Sequence, residues 1–262
     1  MEAEKIISLA PEKMRGMLLS VLGYNSSFLL SKEQEKLLEK IIFAMSIVDR
    51  KYFYVRNAHK IRISEQPENS NINENFLDEG EEAYDDNALP IGEGQTISQP
   101  STVARMLLLG ELQEGDDILE IGTGSGWNAS LISFLVYPGN VLSVERFVSL
   151  KEKAEDNLAN LRNYLKQKKP QDIKKIEKIN FYAENIFERK KAWKRKYDKI
   201  IITAGISQGE EEKIEFLALE LLKQKGILIC PYISGPLLIY KKNGKLKRFL
   251  TKEEYVFVPL LE

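Results

Sequence analysis

The sequence predicts an α/β fold in which a doubly wound parallel sheet is preceded by a helical amino-terminal addition and ends in antiparallel strands. From residue 102 onward, short apolar runs alternate with segments of helical periodicity, as expected for parallel strands joined by helices. The apolar run 118–121 leads directly into a glycine-rich turn. Near the carboxyl end, Asn243-Gly244 separates two apolar runs and indicates a β-hairpin.

Residues 1–56 are predicted to form helices that pack on this core. Ser31 followed by Glu33-Gln34-Glu35 is a helix-capping signal, and apolar residues recur at helical spacing from Leu37 to Met45. We expect this apolar stripe to pack on the sheet. Residues 57–82 lose the periodicity and are rich in Asn, Glu, Ser and Gly, which predicts an exposed acidic insertion without fixed order. Residues 83–262 would then form the α/β domain.

A loop with a defined path is predicted between Asn87 and the helix Thr102–Leu109. It contains two glycines, a proline at each end and the hydroxyl groups of Thr96 and Ser98. A loop held in this way ahead of the sheet is well placed to orient a substrate.

The segment from Asp116 to Glu145 predicts one βαβ unit with a nucleoside site. Glycines after the first strand let the backbone approach a ligand closely, and the following helix offers unpaired N–H groups. Glu145 closes the second strand about twenty residues after the glycines, where an acid accepts hydrogen bonds from a ribose diol.

The glycine spacing favours S-adenosylmethionine over NAD. A dinucleotide site requires G-x-G-x-x-G, whereas Gly122, Gly124 and Gly126 are followed here by Trp127. Glu120, just before the first glycine, would repel a pyrophosphate but suits a ligand with an ammonium, a sulfonium and no phosphate.

The rest of the chain continues the alternation of strands and helices. The predicted elements are the helix Ser149–Tyr164, the strands Ile176–Tyr182 and Tyr197–Ala204, the helix Glu210–Gln224, the strand Ile227–Tyr232, the hairpin strands Leu237–Tyr240 and Leu246–Leu250, and a last strand Tyr255–Leu260. In such a sheet, ligands lie beyond the carboxyl ends of the strands.

Composition excludes several classes of function. The 262-residue chain has a formal net charge of −1, so the whole chain suggests neither nucleic acid nor an anionic membrane as a partner. Acids cluster between 65 and 86 and basic residues predominate between 151 and 199, which is typical of two solvated faces, with an anionic partner as the alternative. Cys230 and His59 are the only cysteine and histidine, so no metal site is expected. We expect a cytoplasmic monomer without a membrane span.

Several motifs resemble the protein-L-isoaspartate (D-aspartate) O-methyltransferase family. They are Ala83-Tyr84 with Asp86, L-P-I-G-E-G-Q-T-I-S-Q-P at 89–100, I-L-E-I-G-T-G-S-G at 118–126, V-E-R at 144–146, Y-D-K-I-I-I-T-A at 197–204, F-V-P-L at 257–260, and more faintly 44–53. The segment Gln95 to Ser98 is the most particular of these. The resemblance implies a Rossmann-like S-adenosylmethionine-dependent methyltransferase sheet.

The resemblance also implies an activity, namely methyl transfer from S-adenosylmethionine to the free α-carboxylate of an isoaspartyl residue in a damaged protein or peptide. That carboxylate is ionised at neutral pH and the sulfonium is a good leaving group, so no general base is needed. The protein has to place the two groups in line and exclude water.

Site residues carry over one by one. Ser98 matches the active-site serine that would hold the acceptor carboxylate, and Val258 matches a position in the substrate cleft. Glu145 would hold the ribose hydroxyls and Glu184 the adenine amino group. The remaining predicted cofactor-binding residues are Gln95, Thr96, Ile97, Glu120, Gly122, Thr123, Gly124, Gly126, Arg146 and Asn185.

Two departures keep alternatives open. Ala183-Glu184-Asn185 replaces the family's usual G-D-G, and Gly205-Ile206-Ser207-Gln208 follows Ala204 where alanine and a nearby proline are common. The same fold and cofactor could therefore serve another acceptor, such as a carboxylate in a dedicated peptide, or a cofactor-binding protein without catalysis. An RNA methyltransferase is disfavoured, because the basic segment lacks paired aromatics and a base-handling motif such as N-P-P-Y.

Overall fold

The computed structural model describes residues 2–54, 81–188 and 192–261. Within these ranges, seven α-helices form: α1 Glu2–Leu9, α2 Glu12–Ser26, α3 Lys32–Ile47, α4 Pro100–Leu109, α5 Trp127–Val136, α6 Val148–Lys168 and α7 Glu211–Leu221. His59 and nearly all of the predicted insertion 57–82 lie outside the described residues. Of the described helices, none is long and apolar enough to cross a membrane.

Eleven strands are present in the same described ranges. They are β1 Leu89–Gly92, β2 Gln95–Ile97, β3 Asp117–Ile121, β4 Asn140–Glu145, β5 Ile179–Ala183, β6 Tyr197–Ile202, β7 Leu222–Pro231, β8 Ser234–Gly235, β9 Leu237–Asn243, β10 Lys245–Leu250 and β11 Tyr255–Val256.

A seven-stranded sheet in the order β10-β9-β7-β6-β3-β4-β5 forms the centre of the molecule. The pairs β7/β6, β6/β3, β3/β4 and β4/β5 are parallel, and β9 and β10 add antiparallel strands at one edge. This confirms the doubly wound α/β fold with antiparallel carboxyl-terminal strands. The strand order reverses direction between β3 and β6, which is the position where doubly wound sheets bind ligands.

Each face of the sheet has its own apolar core, because neighbouring residues on a strand point to opposite faces. Ile118 on β3 and Ile201 on β6 pack with the helices α3 to α6. Leu119 and Ile200, their neighbours in sequence, pack with α7 on the other face.

The amino-terminal helices join the first of these cores. Ser31 caps α3 through a capping box with Gln34, as its sequence signal predicts. Leu38, Ile41, Ile42 and Met45 are buried. This apolar stripe meets α1, α2, α4 and α5 and belongs to the same apolar core as Ile118 and Ile201 of the sheet.

Other departures from the predicted elements have local causes. Residues 89–97, predicted as part of a loop with a defined path, form a β-hairpin, β1/β2. Helix α7 ends at Leu221, since the buried Leu222 already pairs with Tyr197 on β6. The predicted strand from Ile176 begins only at Ile179, after a 3₁₀ helix that starts at Pro170.

The predicted last strand, Tyr255–Leu260, is a strand only at Tyr255–Val256, where it pairs with β8. Beyond Val256 the backbone hydrogen-bonds to the loop that follows β6. Gly205 N–H donates to Val258 O and Leu260 N–H donates to Gly205 O, both at 2.7 Å. Pro259 has no N–H to continue a ladder. The segment therefore crosses the end of the sheet, next to β6.

Candidate active site

A cavity lies at the carboxyl ends of β3, β4, β5 and β6, and it is also bordered by β2 with Ser98 and by residues 258–261. It brings together Gln95, Thr96, Ile97, Ser98, Gly122, Thr123, Gly124, Glu145, Arg146, Glu184, Asn185 and Val258, all of which the sequence assigns to one site. Two other predicted residues, Glu120 and Gly126, do not line the cavity. The assignment of binding roles to these residues stays a prediction.

The glycine-rich turn needs its glycines for close packing as well as for a ligand. Gly122 has φ of +97°, and a Cβ there would lie 2.3 Å from the Thr203 hydroxyl oxygen on the neighbouring strand end. Gly126 has φ of +86°, and its Cβ would lie 3.0 Å from Ala154 Cβ on α6. Gly126 therefore fits α5 against α6, which explains why it is absent from the cavity wall.

Glu145 is fixed at the end of β4 by the turn itself. Gly124 N–H donates to one carboxylate oxygen at 2.8 Å, and Phe147 N–H donates to the other at 3.1 Å. The residue is 6% exposed and lines the cavity. Each oxygen keeps a second acceptor position, so the carboxylate can receive a diol from the cavity side.

Glu120 is buried behind the turn and does not reach the cavity. Asn128 Nδ2 donates to one of its oxygens at 2.8 Å, and the Ser143 hydroxyl donates to the other. Burial, reinforced by the nearby charge of Glu145, raises the pKa of Glu120 to about 8. Asn128 itself lines the cavity, so Glu120 acts on the site by orienting that amide. The predicted role of Glu120 in binding a cofactor stays a prediction, and in this structure its link to the cavity runs through Asn128.

Glu184 and Asn185, which follow β5, form part of the cavity wall. Glu184 is 7% exposed, and its carboxylate accepts a hydrogen bond from Ala192 N–H at 3.0 Å. The Asn185 side chain accepts from Phe187 N–H at 2.9 Å, which begins a short 3₁₀ helix. Both polar side chains are therefore held in place without the two glycines that are usual in the related family.

The Ser98 side of the cavity is built by the hairpin β1/β2. Ile97 is buried, and Ser98 follows directly as the chain turns into α4. Among the described residues, none hydrogen-bonds to the Ser98 hydroxyl. Ser98 and Val258 border this cavity and also a second groove that opens beside it.

Arg50 is a site-supporting residue that sequence reasoning missed. Its guanidinium is fully buried and donates to the carbonyl oxygens of Ala83 at 3.0 Å, Asn87 at 2.8 Å and Ser98 at 3.1 Å. It also lies 5.3 Å from the ring centre of Trp127, in the first turn of α5. Burial lowers its pKa to about 10, which leaves it charged at neutral pH. The only signal in the sequence was the faint resemblance around 44–53.

Gly205 accounts for one of the departures from the family pattern. A Cβ at this position would lie 2.5 Å from the backbone nitrogen of Ile233. The backbone between β7 and β8 thus approaches too closely for the alanine that is common there. Gly205 in turn pairs with the segment that carries Val258.

The cavity suits a nucleoside that carries a positive charge and no phosphate. Glu145 and Glu184 supply carboxylates, and Arg146 is the only Lys or Arg among the described residues of its wall. The backbone at Gly122 and Gly124 comes to its edge, and Ile186, Phe147 and Val144 supply apolar surface. S-adenosylmethionine fits this set of groups, whereas a pyrophosphate would face mainly carboxylates.

A doubly wound sheet whose switch-point cavity offers these groups is the architecture of an S-adenosylmethionine-dependent methyltransferase. More narrowly, residues 25–262 match the protein-L-isoaspartate(D-aspartate) O-methyltransferase family, to which the chain belongs.

Curated relatives agree with this family. The protein-L-isoaspartate O-methyltransferase of Pyrococcus abyssi is 37% identical over 185 residues, which cover 68% of this chain and 76% of that protein. The Thermosipho melanesiensis protein of the same name is 33% identical over 232 residues, covering 85% of this chain and 94% of that protein.

Solved structures agree in fold. A protein-L-isoaspartate O-methyltransferase structure has a TM-score of 0.60 at 24% identity, covering 87% of this chain and 66% of that chain. A Plasmodium falciparum structure of that description, solved with S-adenosyl-L-homocysteine, has a TM-score of 0.61 at 20% identity and covers 92% of this chain and 97% of that one.

Proposed function

We propose that this protein transfers the methyl group of S-adenosylmethionine to the free α-carboxylate of L-isoaspartyl residues in damaged proteins or peptides, as a protein-repair enzyme. The observation that carries the proposal is the position of Ser98. Its hydroxyl has no described hydrogen-bond partner, and it stands where the cofactor cavity meets a second groove. The names of the relatives from Pyrococcus abyssi and Thermosipho melanesiensis support the substrate class.

The cofactor would be held by residues on three strand ends. Glu145 would accept hydrogen bonds from the ribose hydroxyls, Glu184 and Asn185 would meet the adenine, and the turn 122–124 would border the amino-acid part. When bound, the cofactor supplies an electrophilic methyl group on a sulfonium that leaves readily.

The chain's own contribution is to place the acceptor and exclude water. The Ser98 hydroxyl would donate to one acceptor carboxylate oxygen and leave the other directed at the methyl group. Ile97 and Val258 would cover the reacting groups with apolar surface. A carboxylate acceptor is already ionised at neutral pH, so a site without a histidine or cysteine base is sufficient.

Location and assembly remain predictions from the sequence. We expect the enzyme to act in the cytoplasm as a monomer, on proteins or peptides rather than nucleic acid. Gel filtration with light scattering would test the monomer, and a dimer mass would contradict it.

The role of Ser98 can be tested by Ser98→Ala, with Ser8→Ala at an exposed position of α1 as the control. We expect the alanine at 98 to lower kcat on an isoaspartyl peptide by about 10- to 100-fold, because a charge-assisted hydrogen bond contributes about 1.5–3 kcal/mol. The dissociation constant of S-adenosylhomocysteine, measured by calorimetry, should change by less than about twofold. An unchanged kcat would remove Ser98 from the site.

A further inference from the structure

A second groove opens on the other side of Ser98 from the cofactor cavity. Thr96, Ser98, Thr203 and Val258 belong to the walls of both, so the groove and the cavity meet along these residues. An acceptor carboxylate that reaches the cavity at Ser98 must leave the rest of its peptide outside the cavity. The groove is the space continuous with that point.

A pair of tyrosines forms one wall of this groove. Tyr24, near the end of α2, donates its phenol hydrogen to the Tyr255 hydroxyl oxygen at 3.1 Å. Tyr255 is 8% exposed, whereas Tyr24 is only half-buried, and both belong to the lining of the groove. The wall thus joins an amino-terminal helix to a carboxyl-terminal strand.

The end of α2 is anchored on both sides of the groove. Asn25 Nδ2 donates to Ser101 O in the first turn of α4 at 3.2 Å. Arg105 of α4 lies 3.9 Å from the ring centre of Phe28, and its guanidinium forms an ion pair with Glu253 at 2.7 Å, close to β11. The position of Tyr24 is therefore fixed before any peptide arrives.

Most of α2 precedes the part of the chain that matches the family. The match begins at residue 25, one position after Tyr24. Tyr24 therefore lies just outside the matched segment, whereas its partner Tyr255 lies within it.

The side chains that line the groove suit a peptide backbone and a positively charged peptide side chain. Its lining residues include Thr96, Ser98 and Ser234, whose hydroxyl groups can both donate to and accept from main-chain amides. Glu254 is the only charged residue among its described lining, and it is exposed. A basic side chain next to the isoaspartyl residue would therefore be favoured over an acidic one.

We propose that this groove binds the acceptor peptide beside the methylated carboxylate, and that Tyr24 is a specificity-determining residue for peptide acceptors. The inference rests on the proposed function and adds to it a role for α2. Glu254 makes the groove selective for peptides with a flanking lysine or arginine.

The test compares a long acceptor with a minimal one. The long acceptor is a heptapeptide with a central isoaspartyl residue, and the minimal acceptor is a single isoaspartyl residue blocked at both ends. We expect Tyr24→Ala to raise KM for the heptapeptide about tenfold, as for a lost interface tyrosine, with kcat and the minimal acceptor's KM changed less than about twofold. Leu19→Ala, at an exposed position of the same helix, is the control and should leave both KM values unchanged.

A second pair of substrates tests whether the charge of Glu254 selects basic peptides. We expect the wild-type protein to prefer a heptapeptide with flanking lysines over one with flanking glutamates by about threefold or more at low salt, and Glu254→Gln to abolish most of this preference. Equal KM increases for the long and minimal acceptors in Tyr24→Ala would overturn the proposal. A charge preference that Glu254→Gln leaves unchanged would also overturn the selectivity.

A binding measurement separates this inference from the proposed function. Fluorescence anisotropy of the labelled heptapeptide, with the protein saturated by S-adenosylhomocysteine, reports the groove without turnover. Should no acceptor be methylated, the proposed function fails, while a weaker Kd in Tyr24→Ala still supports the groove.

Tyr24→Phe is a milder variant, because it keeps the ring and loses the hydrogen bond to Tyr255. We expect it to raise the Kd of the heptapeptide two- to threefold, roughly the effect of one neutral hydrogen bond. A Kd that is unchanged in both Tyr24 variants contradicts the groove.

Discussion

The buried guanidinium of Arg50 donates a hydrogen bond to the carbonyl oxygen of Ser98 across 3.1 Å. Arg50 lies just after α3, and Ser98 lies just before α4, so the bond ties the amino-terminal helices to the candidate catalytic residue. The same guanidinium also donates to the carbonyl oxygens of Ala83 and Asn87, which precede the hairpin β1/β2 in the chain. The path of the Ser98 loop thus depends on one side chain outside the cavity.

Arg50→Lys should damage both stability and turnover. A lysine cannot reach several carbonyl groups in different directions, so buried acceptors would lose their donors. We expect the free energy of unfolding in urea to fall by about 3 kcal/mol and kcat to fall by about tenfold or more. The control is Arg15→Lys on the exposed face of α2, with a change below about 1 kcal/mol. Wild-type stability and kcat in Arg50→Lys would contradict this role.

Glu145→Gln should weaken cofactor binding. An amide has one acceptor oxygen, so either Gly124 N–H or Phe147 N–H would face the amide nitrogen, and the negative charge toward the ribose would be lost. Calorimetry with S-adenosylhomocysteine should give a dissociation constant about 10- to 100-fold higher. The exposed Glu155→Gln on α6 is the matched control. An unchanged dissociation constant would show that Glu145 supports only the turn.

Glu120 should give the protein a measurable pH dependence. Its folded pKa of about 8 lies above the ordinary value of 4.5, so the folded state binds more protons than the unfolded state between these values. The contribution of Glu120 to the free energy of unfolding is therefore full below about pH 4.5 and declines by about 1 kcal/mol per unit as the pH rises toward 8.

Glu120→Gln, an uncharged mimic of the protonated acid, isolates this effect. In urea unfolding at pH 5, 6, 7 and 8, the stability of the variant relative to wild type should rise steadily with pH. Parallel pH profiles for the two proteins would mean that Glu120 titrates at an ordinary pKa.

Two glycine-to-alanine substitutions should change the free energy of unfolding in opposite directions. Gly205→Ala places a Cβ 2.5 Å from Ile233 N and should lower the free energy of unfolding by about 1–3 kcal/mol. Gly16→Ala lies inside α2 with no atom within 4 Å of the new Cβ and should raise it by about 0.5–1 kcal/mol. Thermal unfolding compares both with wild type. A Gly205→Ala protein as stable as wild type would show that the 231–236 backbone can move away.

The sequence predicted the main sheet well because its signals are local. The apolar run before Gly122, the alternation of strands with helices and Asn243-Gly244 each specify an element through a few neighbouring residues. The hairpin at 89–97 escaped prediction because its strands are short and their pairing shifts register between Pro90 and Gly92. The segment after Tyr255 was predicted as one strand because its apolar run is continuous, although Pro259 and the bonds to Gly205 divide it.

The candidate site was predictable where a motif marks a backbone position, and less so where roles depend on long-range contacts. Glu145 and Ser98 stand where their motifs place them, at a strand end and after the hairpin. Glu120 looks the same in sequence, yet its side chain points into the protein toward Ser143. Tyr24 carries no local signal and Arg50 only the faint resemblance around 44–53, since their partners are tens or hundreds of residues away.

The most direct test of the proposed activity uses two peptides that differ only in one linkage. Purified protein is given S-adenosylmethionine with a labelled methyl group and either the aspartyl or the isoaspartyl form of one peptide, and base-labile methyl ester is counted. We predict ester on the isoaspartyl peptide and background on the aspartyl peptide. Background on both peptides, with S-adenosylhomocysteine binding confirmed by calorimetry, would contradict the repair function and point to a different acceptor.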